Sequence, residues 1–264
     1  MAEMQTCNGS SQIHLWVDRG INCIVTLVYW AWFIFGFILF FSWGYLISAL
    51  VVKDPELSFQ RLNSRFFQIF FRIVKVTAPR QRIEIDEKVA AIRSSVIVCN
   101  HLSYLDPLLL ITLFQKQRTI VKTRFFGMPI FGWIIKKSGY FPATSEGPFA
   151  QMMIRQMETM GPYLQGGGNL FVFPEGTRSR DGNLGILNRG AFKIARICRV
   201  PIYVLEIRNT DKLFTPGKFL FNTRMKNSIG VKIIDCIEPD YQQNPPSIAE
   251  LELRVRQAYC ERQR

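Results

Sequence analysis

From Ile21 to Val52 the chain carries no charged residue through 32 consecutive positions. A helix needs about 20 apolar residues to cross the hydrocarbon of a bilayer, and 32 in one straight helix would run about 48 Å. The run must therefore tilt, protrude or break, with Gly36 and Ser42-Trp43-Gly44 as the expected breaking points. Trp30, Trp32 and Trp43 suit the interface between lipid and water. A secretory signal fits poorly, because it has an apolar core of about 7–15 residues, a basic start and a small-residue cleavage site. Residues 1–20 read as a polar leader and 21–52 as a membrane-embedded helix or tight helical pair.

Charge then orients the rest. Arg19 is the one base before residue 53, whereas Lys53, Arg61, Arg65, Arg72, Lys75, Arg80 and Arg82 follow the run closely. The excess of bases after the run places the remainder of the chain on the cytoplasmic side. The formal net charge of +13 suits an anionic partner: lipid headgroups, an acidic carrier protein, phosphorylated substrates or nucleic acid. No recognised nucleic-acid motif interleaves aromatics with these bases, so no nucleic acid is expected. Residues 53–78 form an amphipathic basic connector, with Leu62, Phe66, Phe70, Ile73 and Val74 near helical spacing. That pattern fits a membrane surface and a protein surface equally. The six cysteines are scattered without a C-x-x-C pair, which points to free thiols and no metal site.

Residues 79–264 alternate short β-branched runs with helical periods. Strands are expected at 83–85, 94–99, 119–122, 140–142, 169–173, 202–207 and 229–234. Helices are expected at 107–114, 128–137, 148–164 and 190–199. Ser247-Ile248-Ala249-Glu250 is a capping box that opens a last helix. Met152, Met153, Met157 and Met160 form a stripe that reads as adaptable core. Residues 211–227 are irregular and read as a solvated loop, with a membrane- or donor-contacting flap as the alternative. The fold class is α/β: a mixed, largely parallel sheet flanked by helices, with the N-terminal membrane-embedded segment attached.

Two strands each deliver a polar loop to the sheet edge where α/β proteins bind ligands. Val96–Cys99 leads into Asn100-His101-Leu102-Ser103-Tyr104-Leu105-Asp106-Pro107, and Asn169–Phe173 into Pro174-Glu175-Gly176-Thr177-Arg178-Ser179. Asp106 reads as the N-cap of the helix that Pro107 helps open. It also reads as the orienter of His101, leaving the second imidazole nitrogen free to take a proton from a hydroxyl. Both roles fit one carboxylate, which has several acceptor sites. Cys99 is expected to pack at the strand end.

Together Asn100-His101-x4-Asp106 and Phe173-Pro174-Glu175-Gly176-Thr177-Arg178-Ser179 resemble the signature blocks of the lysophosphatidic acid and glycerol-phosphate acyltransferase family. Lys122, Pro129-Ile130-Phe131-Gly132 and Gly139-Tyr140-Phe141-Pro142 resemble its middle block, and Val200-Pro201-Ile202 its fourth. The resemblance implies a membrane enzyme that moves a fatty acyl group from a thioester, acyl-CoA or an acidic acyl-carrier protein, to a hydroxyl of a lysophospholipid, most directly 1-acylglycerol-3-phosphate. It implies no further cofactor and no metal. His101 becomes the general base and Asp106 its orienter, with direct attack and no role for Ser103 as a covalent nucleophile. Lys122, Gly176, Thr177 and Arg178 are expected at the acceptor phosphate, and Glu175 holding a neighbouring cation or loop.

One departure keeps the acceptor open. The family closes its middle block with an arginine shortly after the segment matching Gly139–Pro142, whereas Ala143-Thr144-Ser145-Glu146 contains no base. Another lyso-lipid or a zwitterionic hydroxyacyl lipid is the alternative acceptor. A membrane hydrolase or transacylase using the same pair is the alternative reaction, and a membrane-anchored basic binding protein the alternative outside enzymes.

Overall fold

A computed structural model describes residues 6–144, 149–176, 178 and 185–263, with side chains from residue 16 to 262 of these. Helix α1 (Thr6–Ala31) runs without a stop into a π-helical segment (Trp32–Phe41) and then α2 (Ser42–Val51). The expected break at Gly36 or residues 42–44 does not occur. The helix widens instead, and Trp32 lies over Gly36 where any Cβ would meet its ring. Residues 16–51 are long and apolar enough to cross a membrane by length and composition. Ile34, Phe35, Ile38, Leu39, Phe40, Trp43, Ile47 and Leu50 are exposed along this stretch. Of the segment read as a polar leader, residues 6–20 lie within α1.

The basic connector becomes α3 (Pro55–Thr77), with Pro55 at its first turn. Of the two surfaces its pattern fitted, α3 uses a protein one, burying Phe59, Phe66, Phe70, Phe71 and Val74. Polar groups on the same face make specific bonds. The Tyr45 hydroxyl donates to Asn63 Oδ1 at 2.6 Å, and Asn63 Nδ2 donates to the Ser138 hydroxyl at 2.9 Å. Gln60 donates to the Ser138 carbonyl at 2.9 Å and accepts from the Tyr163 hydroxyl at 3.0 Å. Arg118 grips Glu56 through two nitrogens at 2.7 and 2.9 Å. Burial pushes the Tyr140 phenol up to about 12, which keeps it a neutral partner in this network. Asn63→Ala would strand the buried Tyr45 hydroxyl, at a cost of about 1–3 kcal/mol for an unsatisfied buried partner. A fall of several degrees in Tm is the expected result, and an unchanged Tm would show the network to be dispensable.

Seven strands among the described residues form one sheet: β1 (Gln81–Ile85), β2 (Ser95–Cys99), β3 (Gln117–Val121), β4 (Phe141–Pro142), β5 (Asn169–Val172), β6 (Ile202–Arg208) and β7 (Asn227–Ile237). Their order is β1-β7-β6-β2-β5-β3-β4, parallel at every pairing except β6 with β7. Strand β2 lies at the centre and is apolar on both faces. Ile97 and Cys99 point to the core shared with α1, α3 and α5 (Leu105–Leu113), and Val96 and Val98 to the other. That second core is built with α8 (Met160–Gln165), α9 (Gly190–Cys198) and α11 (Ile248–Gln263). Burial on both faces explains why β2 reads as a continuous apolar run rather than an alternating one.

Two other expectations are adjusted. The helix expected over 148–164 is two, α7 (Ala150–Glu158) and α8. Pro162 has no N–H and crowds the carbonyl four residues back, so the first helix ends before it. Met153, Met157 and Met160 pack into the second core and Met152 into the first. Ser247 and Glu250 form the expected reciprocal cap of α11, at 3.1 and 2.6 Å. Residues 211–227 are not a solvated loop. After the short helix α10 (Thr210–Leu213) they form a strap on α1. Phe219 stacks on Trp30 at 5.7 Å, the Phe221 amide donates to Thr26, Thr223 donates to Asn22, and Arg224 pairs with Asp18 at 2.7 Å.

Candidate active site

Three neighbouring strands end together at the carboxyl edge. Strand β2 delivers His101, β5 delivers Phe173 to Arg178, and β6 delivers Thr210. Asn100 locks the end of β2 to β6: its amide donates to the Ile207 carbonyl at 2.8 Å and accepts from the Ile207 N–H at 2.7 Å. The loop after it then folds around one carboxylate.

Asp106 is fully buried, and its Oδ2 lies 2.8 Å from His101 Nδ1. The same oxygen accepts from the Leu102 N–H at 2.6 Å and the Ser103 N–H at 2.8 Å, and Oδ1 accepts from the Thr210 hydroxyl. These bonds revise the expected N-cap. Helix α5 starts two residues earlier than expected, at Leu105, and the hydroxyl meeting its first N–H is that of Ser103, at 3.3 Å. Asp106 instead satisfies the donors of the loop and fixes the imidazole to them. His101 stacks on Phe173 at 4.4 Å and keeps 17% of its side chain exposed. Its Nε2 makes no hydrogen bond among the described residues.

Ser103 is buried and donates to the Phe214 carbonyl at 2.7 Å, so its hydroxyl ties the loop to the strap. Burial raises the Cys99 thiol well above its usual range, and the nearby Asp106 charge raises it further. Cys99 is a neutral packing residue.

Residues 173–176 make a tight turn. The Gly176 N–H donates to the Phe173 carbonyl at 3.0 Å with Gly176 at φ +65, a conformation that glycine adopts without steric cost. Glu175 accepts from the Gly185 N–H at 3.2 Å and so holds the turn against the returning chain. The Arg178 guanidinium lies over the Tyr104 ring at 3.9 Å, with Nη2 3.3 Å from its hydroxyl. Arg178 Nη1 is buried without a hydrogen-bond partner among the described residues. Lys122 follows β3, two strands from β2 on the same edge, and its exposed ammonium makes no ion pair among the described residues. Thr177 and Ser145 lie outside the described residues.

Local spacing pointed to His101 with Asp106 and to the 173–178 segment. It missed Thr210, Phe173 and Tyr104. Thr210 arrives from β6, more than a hundred positions away, and nothing local marks it. The two aromatics stand inside the motifs, where their rings read as packing.

Fold and site together define an α/β protein whose parallel sheet edge presents an imidazole oriented by a buried carboxylate. Comparison with known proteins gives this class its family. Residues 80–208 match the family model described as Acyltransferase. A 1-acyl-sn-glycerol-3-phosphate acyltransferase of Brassica napus is 38% identical over 124 residues, covering 46% of this chain and 35% of that protein. The Saccharomyces cerevisiae 1-acyl-sn-glycerol-3-phosphate acyltransferase is 28% identical over 180 residues, covering 66% of this chain and 56% of its own length. The crystal structure of the 1-acyl-sn-glycerophosphate acyltransferase of Thermotoga maritima shares the fold. Its TM-score is 0.68 at 19% identity, over 93% of this chain and 98% of that one. Residues 80–208 therefore form a domain of the acyltransferase type, and the match spans about a third of the length of the plant relatives.

Proposed function

We propose that this chain is a membrane-bound O-acyltransferase that moves a fatty acyl group from a thioester to the free hydroxyl of 1-acylglycerol-3-phosphate. The observation that carries the reading is the pair His101–Asp106, an imidazole fixed at Nδ1 with Nε2 free at the ligand-binding edge of the sheet. Nε2 takes the proton as the acceptor oxygen attacks the thioester carbonyl. The tetrahedral intermediate then expels the thiolate, breaking the C–S bond and leaving the new ester. The imidazolium returns its proton to the thiolate, and free thiol departs. Asp106 holds the tautomer and offsets the charge on the ring. A thioester is already activated, so no covalent enzyme intermediate is needed.

The Leu102 and Ser103 amides already donate to Asp106 and are not free to meet the oxyanion. Arg178, with a fork nitrogen that has no hydrogen-bond partner among the described residues, and the exposed Lys122 are the cations for the acceptor phosphate. The long apolar helix supports membrane attachment, and the bases that follow it support a cytoplasmic site. Acyl-CoA and acyl-carrier protein are both chemically suitable donors.

The test uses membranes bearing the full chain after a high-salt wash, supplied with either donor and a panel of lyso-lipids. Thiol release that requires acceptor, and is fastest with lysophosphatidate, is expected. Ser103→Ala should keep its turnover, because that hydroxyl serves the strap. Thiol release without acceptor would mark a hydrolase, and a chain stripped from membranes by salt would rule out an embedded helix.

A further inference from the structure

The connection from β3 to β4 carries an apolar knob that the reaction does not use. A 3-10 turn (Thr123–Gly127) leads to α6 (Phe131–Lys137), and between them Ile130 sits at φ 61 and ψ −63, with the Phe131 N–H donating to the Pro129 carbonyl. This is the γ-turn of positive φ, rare and strained, and a β-branched residue is an unfavourable occupant. Strain of this kind persists only where the surroundings over-determine it. Here Gly132 lets α6 press onto the turn, because any Cβ would run into the Phe126 carbonyl. The turn faces outward, with Ile130 60% exposed beside exposed Met128, Phe131 and Trp133.

The charge around the knob has one sign. Residues 122–137 contain Lys122, Arg124, Lys136 and Lys137, all exposed, and no acid. The knob is continuous with the apolar N-terminal helix: Trp133 packs edge-on against Phe59 at 5.0 Å, and Phe59 in turn against Tyr45 of α2 at 5.0 Å. It also follows the carboxyl end of β3, the edge that holds His101.

We propose that residues 128–133 are a second lipid contact, seated at the headgroup–acyl boundary of an anionic bilayer, with Arg124, Lys136 and Lys137 as a basic collar. An apolar tip ringed by bases matches that boundary in both chemistry and charge. A protein partner would need an acidic rim around an apolar socket, whereas an anionic membrane supplies both and already adjoins the helix. The inference rests on the membrane reading above, and its test separates the two.

The full chain with Cys7, Cys23, Cys236 and Cys260 changed to serine carries an NBD fluorophore at Ile130→Cys, or at Leu253→Cys on α11 as control. It is reconstituted into phosphatidylcholine vesicles with or without phosphatidylglycerol, and nitroxide-labelled acyl chains serve as quencher. At position 130 a blue-shifted emission quenched by the nitroxide is expected with phosphatidylglycerol, while position 253 stays water-like. Lys136→Glu with Lys137→Glu should cut the quenching at 130 by at least half, since each base near an anionic surface contributes measurably to binding. Water-like emission at 130 in vesicles that retain the protein overturns the knob but not the membrane helix. Protein that fails to stay with vesicles overturns both. Equal quenching without phosphatidylglycerol overturns the collar, and a label shielded in the absence of lipid would assign the knob to a second copy of the chain and overturn the lipid contact.

Discussion

His101→Ala is expected to slow acyl transfer by at least about 10²-fold, the scale of a lost general base, while the protein stays folded and with the membrane. The geometry separates chemistry from stability. Removing the ring costs a stacking contact with Phe173, but Asp106 keeps the Leu102 and Ser103 amides and the Thr210 hydroxyl, so the loop retains its frame. Single-turnover rates with a preloaded thioester, read beside Tm, decide the matter. Near-normal turnover in this variant would sink the proposed role. Asp106 behaves differently on replacement. Asparagine can turn its oxygen to the two amides and its NH2 to Thr210, so Asp106→Asn should fold yet lose the charge that steadies the imidazolium. Alanine would leave four donors facing an empty buried site, and at about 1–3 kcal/mol for each unsatisfied group that threatens the fold itself.

Arg178→Ala is expected to raise the KM for a phosphorylated acceptor about 10- to 150-fold, from the roughly 1.5–3 kcal/mol of a charge-assisted contact, with far less effect on the thioester. The guanidinium sits over Tyr104 at 3.9 Å, a contact that holds it in place while Nη1 has no hydrogen-bond partner among the described residues. Arg178→Lys keeps the charge and loses the planar fork, so it should recover only part of the affinity. The comparison is steady-state kinetics against one phosphorylated and one zwitterionic acceptor. An equal loss for both would remove Arg178 from phosphate recognition. So would an unchanged KM.

What could be read from the residues follows how local each feature is. Central strand β2 and the His101–Asp106 spacing were legible because one apolar run and the six residues 101–106 after it hold the whole signal. The role of Asp106 was half legible: its tie to His101 is local, but the cap at Leu105 is made by Ser103, and the Thr210 bond crosses 104 positions. The strap was illegible for the same reason. Residues 214–224 are irregular alone, and their regularity is that of α1, some two hundred positions earlier. The π-helical widening at Gly36 was a matter of degree: a glycine weak enough to suggest a break instead gave room for Trp32. The single helix expected over 148–164 overlooked Pro162, a breaker visible in the residues, and the chain divides just before it into α7 and α8.

The strap has a mechanical consequence. It bolts the apolar helix to the strand ends beside the catalytic loop, since Phe214 accepts from Ser103 and Phe221, stacked on Phe214 at 4.2 Å, donates to Thr26. Helix α3 bolts the same helix to the sheet from the other side through Tyr45 and Asn63. Held at both points, the loop of His101 cannot swing on a tether relative to the apolar helix. Under the proposed membrane attachment, lateral diffusion becomes a search at constant height, and a lyso-lipid would have to rise to that height, leaving its own hydroxyl as the moving part of the encounter.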